Sequence, residues 1–331
     1  MSEFTLLPLT DPRWSVFTRT CKEATPFHAA PWAGFLSECY GFRSFAVAVV
    51  DRDEVVAGLP VAEVGRRRWV SLPFTDACAP LGDAARLAAA LEAARGRRVV
   101  EVRAALPCAA GYAAAVGHVL ALDADEQRVL AGCHKSQVLR NVRRAEREGV
   151  EVRTATTEAE LTDVFYALHV RTRRRLGAPV QRRRFFSLLW RRVLDPGGGY
   201  LLLAYHDGRA VAGAVFLTAG QSVVYKYGAS DERHWGVRPN HLLFRDAIAR
   251  SCAEGRAAFD FGRTDFDDTG LRAFKRGWGA AEHELVYSTL GREAPARHRV
   301  GSSAAAAARG VIRKSPPVVC RAAGLLYGRA A

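Results

Sequence analysis

The chain has 331 residues, 49% of them apolar, and a formal net charge of +14. Such a length allows a sizeable core and predicts two domains, and with no run of about 18 apolar residues no membrane-spanning helix is expected. Seven scattered cysteines without a Cys-x-x-Cys pair argue against a disulfide framework and a metal site, and the first 25 residues carry no leader-like apolar stretch. A reducing cytoplasm fits this composition best.

In the first half, FTLLPL reads as a strand and helices fit 12–23 and 31–40. FAVAVVD, EVVAGLPVAEV and WVSLP form a three-strand meander, followed by a helix at 83–95 and strands at VVEVRA and HVLALD, the latter at 118–123. A charged helix at 125–149 connects to a second half with the same order. VEVRTA is a strand, and Thr157 and Glu160 have capping-box spacing ahead of a helix. A second helix fits 181–194. YLLLAYH, RAVAGAVFLTA and SVVYKYGA are then strands joined by turns at Asp207-Gly208 and Gly220-Gln221. A helix from Asn240 to Glu254 stops at Gly255, AAFDF is a strand, a short helix fits 270–276, and HELVYSTL closes the series.

Val56-Ala57-Gly58 and Val211-Ala212-Gly213 occupy the same place in the two meanders, so the chain carries an internal repeat of about 150 residues. The predicted architecture is α/β with mixed sheets: a domain at 1–124, the connecting helix at 125–149, a second domain at 150–291 and a basic tail at 292–331 outside both copies. The basic excess is unevenly placed. Between Asp163 and Asp195 lie nine arginines and no acid, and the tail holds eight Lys/Arg against Glu293 alone. That placement favours an anionic partner; the simpler alternative is a composition biased towards Arg and Ala.

The element order of each half is that of the GNAT acyltransferase fold. Two such copies in one chain resemble the Fem-type aminoacyltransferases and their FemAB-like relatives. HVLALDADEQRVLAGCHKSQVLRNVRRAEREGVEV is similar to the family's domain junction, FDFGRTD to its Phe-Asp-Phe-Gly-Arg strand end, and FKRGWGA to its Phe-Lys-x-Gly-aromatic-Gly segment. TPFHAAPW and SLPFTDACAPLG are similar to N-terminal segments of one branch. The resemblance implies N-acyl transfer: an amino acid from aminoacyl-tRNA to an amine of a cell-wall precursor or natural product, with no resident cofactor. The alternative within the fold is an acyl-CoA donor. The reading from another class is a basic module that only binds nucleic acid or an envelope surface.

Amide formation needs a neutral amine, a partner for the developing oxyanion and a proton for the leaving group. Asp260, Asp265, Asp267, Asp268, His234 and Glu282 lie near strand ends and could take the amine proton. Asp260 is expected to face away from Phe259 and Phe261, as a base or as a structural partner of Arg263. Lys275 is the leading catalytic candidate: by resemblance the family's lysine here serves the donor or the transition-state oxygen. Leu271 and Phe274 are expected to pack inward and anchor it. The alternative is a solvated lysine offsetting the helix dipole.

Alternation places Tyr225 and Tyr227 on one face and Lys226 on the other, with Tyr227 a candidate for lining the acceptor cleft. ASDERHWGVRPNHLLF lacks the spaced glycines of a pyrophosphate loop, and Pro239 removes a donor, so the usual CoA mode is disfavoured. Asn240 is expected as a helix N-cap or a ligand contact. Arg171, Arg174 and Arg175 recur at helical spacing and suit phosphate contact. The tail mixes apolar and basic residues and suggests peripheral binding to the inner face of an anionic membrane, or packing on the fold.

Overall fold

The computed structural model describes residues 3–292 and 303–324. The first half runs β1 (Glu3–Leu7), α1 (Pro12–Thr20), α2 (Ala30–Tyr40), β2 (Arg43–Asp51), β3 (Glu54–Glu63), β4 (Arg68–Val70), the short β5 (Leu81–Gly82), α3 (Ala84–Arg95), β6 (Val99–Val102) and β7 (Ala110–Ala121). The connection is broken rather than one helix. α4 (Glu126–Ala131) stops at Gly132, and a π-helical turn at Lys135–Leu139 leads into α5 (Arg140–Arg147). The break has a local cause: the His134 N–H bonds the Gly277 carbonyl at 2.7 Å, and the His134 imidazole caps the next turn through the Gln137 N–H.

The second half runs β8 (Glu151–Thr154), a π-helical turn at Glu160–Phe165 into α6 (Tyr166–Arg175), α7 (Arg183–Leu189), β9 (Gly199–His206), β10 (Arg209–Ala219) and β11 (Ser222–Ser230). It continues through α8 (Pro239–Ala253), β12 (Ala258–Asp260), α9 (Thr269–Gly277) and β13 (Ala281–Leu290). The expected capping box is present, with the Glu160 carboxylate accepting from the Thr157 N–H at 3.0 Å. Asp207 and Gly208 both have positive φ, as a tight hairpin turn requires.

One mixed sheet joins the halves in the order β1-β2-β3-β4-β6-β13-β7-β12-β11-β10-β9-β8. The final strand of each half therefore lies beside the other half. β13 sits next to β6 of the first half, β7 sits next to β12 of the second, and β7 and β13 pair with each other over Ala110–Val119 and Ala281–Thr289. The helix pairs also meet: Phe35 of α2 packs edge-on against Phe185 of α7, ring centroids 4.7 Å apart.

The repeated glycines have the same job in both halves. A Cβ on Gly58 would lie 2.5 Å from the Trp14 ring of α1, and one on Gly213 would lie 2.9 Å from the Phe165 ring. Each glycine lets the first helix of its half seat an aromatic directly on the sheet.

The tail folds back onto α6 as α10 (Ser303–Lys314) and α11 (Pro317–Ala323). Ile312 and Cys320 are buried in the main core, and Val180 N–H bonds the Cys320 carbonyl. Residues 293–302 and 325–331 of the basic tail lie outside the described residues. Among the described residues no helix is long and apolar enough to cross a membrane.

Candidate active site

β11 and β12 run parallel only over Ser222–Val224 and Ala258–Asp260. They part because the chain after Asp260 follows β7 instead. Phe261 N–H bonds the His118 carbonyl at 2.9 Å, and Thr264 exchanges both backbone bonds with Val116. β11 meanwhile continues along β10, leaving a wedge between the two strands. At the mouth of the wedge β11 bulges: Phe216 faces Tyr225 and Val215 faces Tyr227, so Lys226 is left out of register. A bulge breaks the alternation of side chains. Contrary to the sequence expectation, Tyr225 and Tyr227 therefore enter different cores. Tyr225 packs against Phe216 and Phe244. Tyr227 packs against Phe185, Phe186 and His169.

The Lys226 side chain is buried, its ammonium 3.6 Å from the Asp76 carboxylate and over the rings of Phe27 (5.2 Å), Trp32 (5.7 Å) and Tyr227 (5.6 Å). Burial pushes this ammonium's pKa down, and Asp76 opposes the shift. Asp76 belongs to the first half, on a loop bent through positive φ at Leu72 and Phe74. Three contacts brace that loop: the Thr75 hydroxyl on the Leu72 carbonyl at 2.6 Å, the Arg103 guanidinium on the Thr75 carbonyl, and the Tyr287 hydroxyl on the Asp76 carbonyl at 2.5 Å. The Asp76 side chain keeps 29% exposure, against 4% for Lys226.

Gly262 closes the wedge from the other side. It has φ +70°, and a Cβ there would lie 3.0 Å from Asp76 Oδ2 and 3.3 Å from the Tyr225 carbonyl oxygen. Its N–H donates to Asp260 Oδ1 at 2.7 Å. Phe259 and Phe261 point into the second core, as alternation requires, and Asp260 faces the first half. Burial raises the Asp260 pKa and the neighbouring Asp76 adds to it, while the Gly262 N–H and Lys275 pull it down.

Lys275 Nζ donates to the carbonyls of Gly262 (2.8 Å) and Arg263 (3.1 Å), and the residue is 2% exposed. Burial pushes its ammonium down to about 8, with Asp76, Asp260 and Asp268 pulling the other way. The expected packing of α9 differs here. Leu271 is exposed and Phe274 half-buried, because the carbonyls at the end of β12 draw Lys275 inward. Two carboxyls and two amines from both halves thus share one partly buried centre: Asp76, Asp260, Lys226 and Lys275.

The other sequence candidates are placed elsewhere or are already occupied. Arg263 pairs with Asp265 at 2.9 Å and donates to the Ala114 carbonyl, rather than pairing with Asp260. Asp268 caps α9 through the Leu271 N–H. Glu282 binds Arg272 and His118, and Arg272 holds its carboxyl down at about 2. Asn240 is not an N-cap: Arg238, at φ +59°, occupies that position with Pro239 behind it. Asn240 and Phe274 line a separate pocket of about 180 Å³ with Trp235 and His241. Arg174 and Arg175 line a cavity of about 490 Å³ at the end of β11. Asp76 and Lys226 were not singled out as a pair. The available signals were a lysine inside an otherwise apolar strand and an acid inside SLPFTDACAPLG.

Residues 134–276 match the family model described as an acetyltransferase (GNAT) domain. Lipid II:glycine glycyltransferases of Staphylococcus epidermidis and Staphylococcus haemolyticus are 35% and 36% identical to this chain over 86 and 92 residues. The matched stretches are 24% and 26% of this chain and 21% and 22% of those proteins, so the chain spans about a fifth of the length of these curated relatives. Among solved structures, FemX superposes with a TM-score of 0.69 at 15% identity, over 87% of this chain and 98% of its own. The chain has the GNAT fold, and over the matched stretches it is similar to the lipid II:glycine glycyltransferases. A tandem GNAT protein from the clavulanic acid biosynthesis pathway shares this fold at a TM-score of 0.53 and 17% identity, over 89% of this chain and all of its own (100%). The matched GNAT segment carries Lys226, Asp260 and Lys275, whereas Asp76 lies outside it.

Proposed function

We propose that the protein is an N-acyltransferase that moves an aminoacyl group from aminoacyl-tRNA to an amine of a cell-wall precursor or natural product. The observation that carries this reading is the partly buried Asp76–Lys226–Asp260–Lys275 centre at the β11–β12 wedge. The acyl carbonyl enters the wedge beside the bulge at Lys226, where the ladder is interrupted, and its oxyanion takes a backbone N–H of that bulge. Asp76, the partly exposed acid of the centre, takes the proton as the amine nitrogen attacks. The C–N bond forms, the C–O bond to the ribose breaks, and the proton passes to the leaving ribose oxygen. Lys226 holds the Asp76 carboxylate in place, and Lys275 fixes the Gly262 turn that faces it.

Two things support this reading. The curated relatives are glycyltransferases named for lipid II, which supports an aminoacyl group and a cell-wall acceptor. The start of α8 also has Arg238 and Pro239 where a glycine-rich phosphate loop would expose N–H groups. The match to an acetyltransferase domain favours the second reading, an acyl-CoA donor on the same centre. An acceptor bound to the membrane would place the protein at the inner face of that membrane.

Incubation with charged tRNAs and acyl-CoAs in separate reactions tests the reading. Amine-dependent consumption of aminoacyl-tRNA is expected, falling about 100-fold or more in Asp76→Asn; that variant also leaves the buried Lys226 ammonium without its carboxylate and lowers the unfolding midpoint, so both proteins are assayed well below it. Consumption of the thioester alone establishes the second reading, and consumption of neither rejects catalysis.

A further inference from the structure

The arginine-lined cavity at the end of β11 is separate from the centre at the wedge, and it is built from three distant stretches of chain. Arg171, Arg174 and Arg175 come from α6, Asp231, Glu232 and Arg233 from the turn after β11, and Arg313 from the tail helix α10. Five guanidiniums face two carboxylates. Both acids are already taken: Asp231 by Arg171 and Arg233, each at 2.6 Å, and Glu232 by Arg175 at 3.3 Å. Arg174 and Arg313 have no ion pair among the described residues, and the Arg174 Nε is a buried donor without a partner. Such a donor is costly to leave unmade unless a ligand completes it.

The seating of the tail is equally specific. A Cβ on Gly177 would lie 2.6 Å from the Arg309 carbonyl oxygen, and one on Gly324 1.7 Å from that of Val180, so backbone lies directly on backbone. With Ile312 and Cys320 buried below it, α10 is a fixed wall and Arg313 a fixed donor. Forked guanidiniums converging from several elements are the geometry that receives a phosphate.

We propose that this cavity binds the phosphate or diphosphate group of a small substrate, with the C-terminal tail completing the site through Arg313. A volume of about 490 Å³ suits a small-molecule group rather than a stretch of polynucleotide. Ser230 at the cavity and Lys226 at the wedge are on one strand, four residues apart, a span of about 13 Å. The ligand therefore carries its phosphate about that far from its reacting atoms. An aminoacyl ester lies only a few bonds from the nearest phosphate of its tRNA, so the spacing assigns the phosphate to the amine acceptor. This assignment rests on the acyl-transfer reading; the phosphate site itself does not.

The test is calorimetric titration of the full chain with inorganic pyrophosphate, with anionic phospholipid vesicles and a short single-stranded RNA as competing arms. Saturable pyrophosphate binding is expected, weakened about 10-fold or more by Arg313→Gln and by Arg174→Gln, the scale of one charge-assisted hydrogen bond. Arg313 is exposed, so its variant keeps the fold even if Arg174→Gln loses stability. Asp76→Asn binds pyrophosphate like the wild type, which separates a failure of this proposal from a failure of the transfer reading. No saturable binding, or binding that neither arginine variant weakens, overturns the proposal. So does displacement of pyrophosphate by RNA or vesicles at much lower concentration.

Discussion

Lys275 is the residue whose burial can be measured without knowing the substrate. Its ammonium is pushed from 10.5 to about 8 by burial, and it is held by two backbone carbonyls. In the unfolded chain the lysine keeps its proton up to about pH 10.4. Between about pH 8 and that value the unfolded state binds more protons than the folded one, so stability rises with pH. A shift of this size corresponds to about 3 kcal/mol, gained gradually across the window and complete above it. Lys275→Met keeps the buried stem and removes the titration. The measurement is the urea unfolding free energy of both proteins at half-unit steps from about pH 7 to pH 10.5, compared as a difference so that shared titrations cancel. Wild type is expected to gain about 3 kcal/mol on the variant across that range. A difference that stays flat, or that falls as pH rises, refutes the assignment of Lys275 as a buried charge.

Gly262→Ala places a side chain at φ +70° and 3.0 Å from Asp76 Oδ2. A loss of about 1–2 kcal/mol for the backbone alone, seen as a drop of several degrees in Tm, is expected together with lost transfer. An unchanged Tm refutes the close approach of the two halves. Gly213→Ala overpacks the Phe165 ring and is expected to cost about 1–3 kcal/mol. Gly58→Ala, with the Trp14 ring closer still, costs at least as much by the same thermal measurement.

Much of the fold was legible because local signals and tertiary structure agree. The meander of β9, β10 and β11 is bounded by Asp207-Gly208 and Gly220, and the Thr157–Glu160 box opens the following helical segment. Three features were hidden for physical reasons. β7 and β13 have the same alternation whichever strand they pair with, so nothing in their residues reveals that they lie beside the other half. The bulge at Lys226 lies inside SVVYKYGAS, whose pattern is regular, and one inserted residue was enough to send Tyr225 and Tyr227 to opposite faces. Amphipathic spacing placed Leu271 inside α9, yet two unpaired carbonyls at the end of β12 drew in Lys275 instead.

These hidden features act together. The departure of the chain after Asp260 along β7 opens the wedge, and β7 is there only because it lies between β12 and β13. β13 in turn carries Tyr287, whose hydroxyl fixes the Asp76 carbonyl of the first half. Lys226 then meets Asp76 through a wall of first-half aromatics, Phe27 and Trp32. A second half folded without the first would therefore lack the acid, the cage and the strand that opens the wedge. The internal repeat is for this reason not two independent sites. It is one centre, assembled where the two copies trade their last strands.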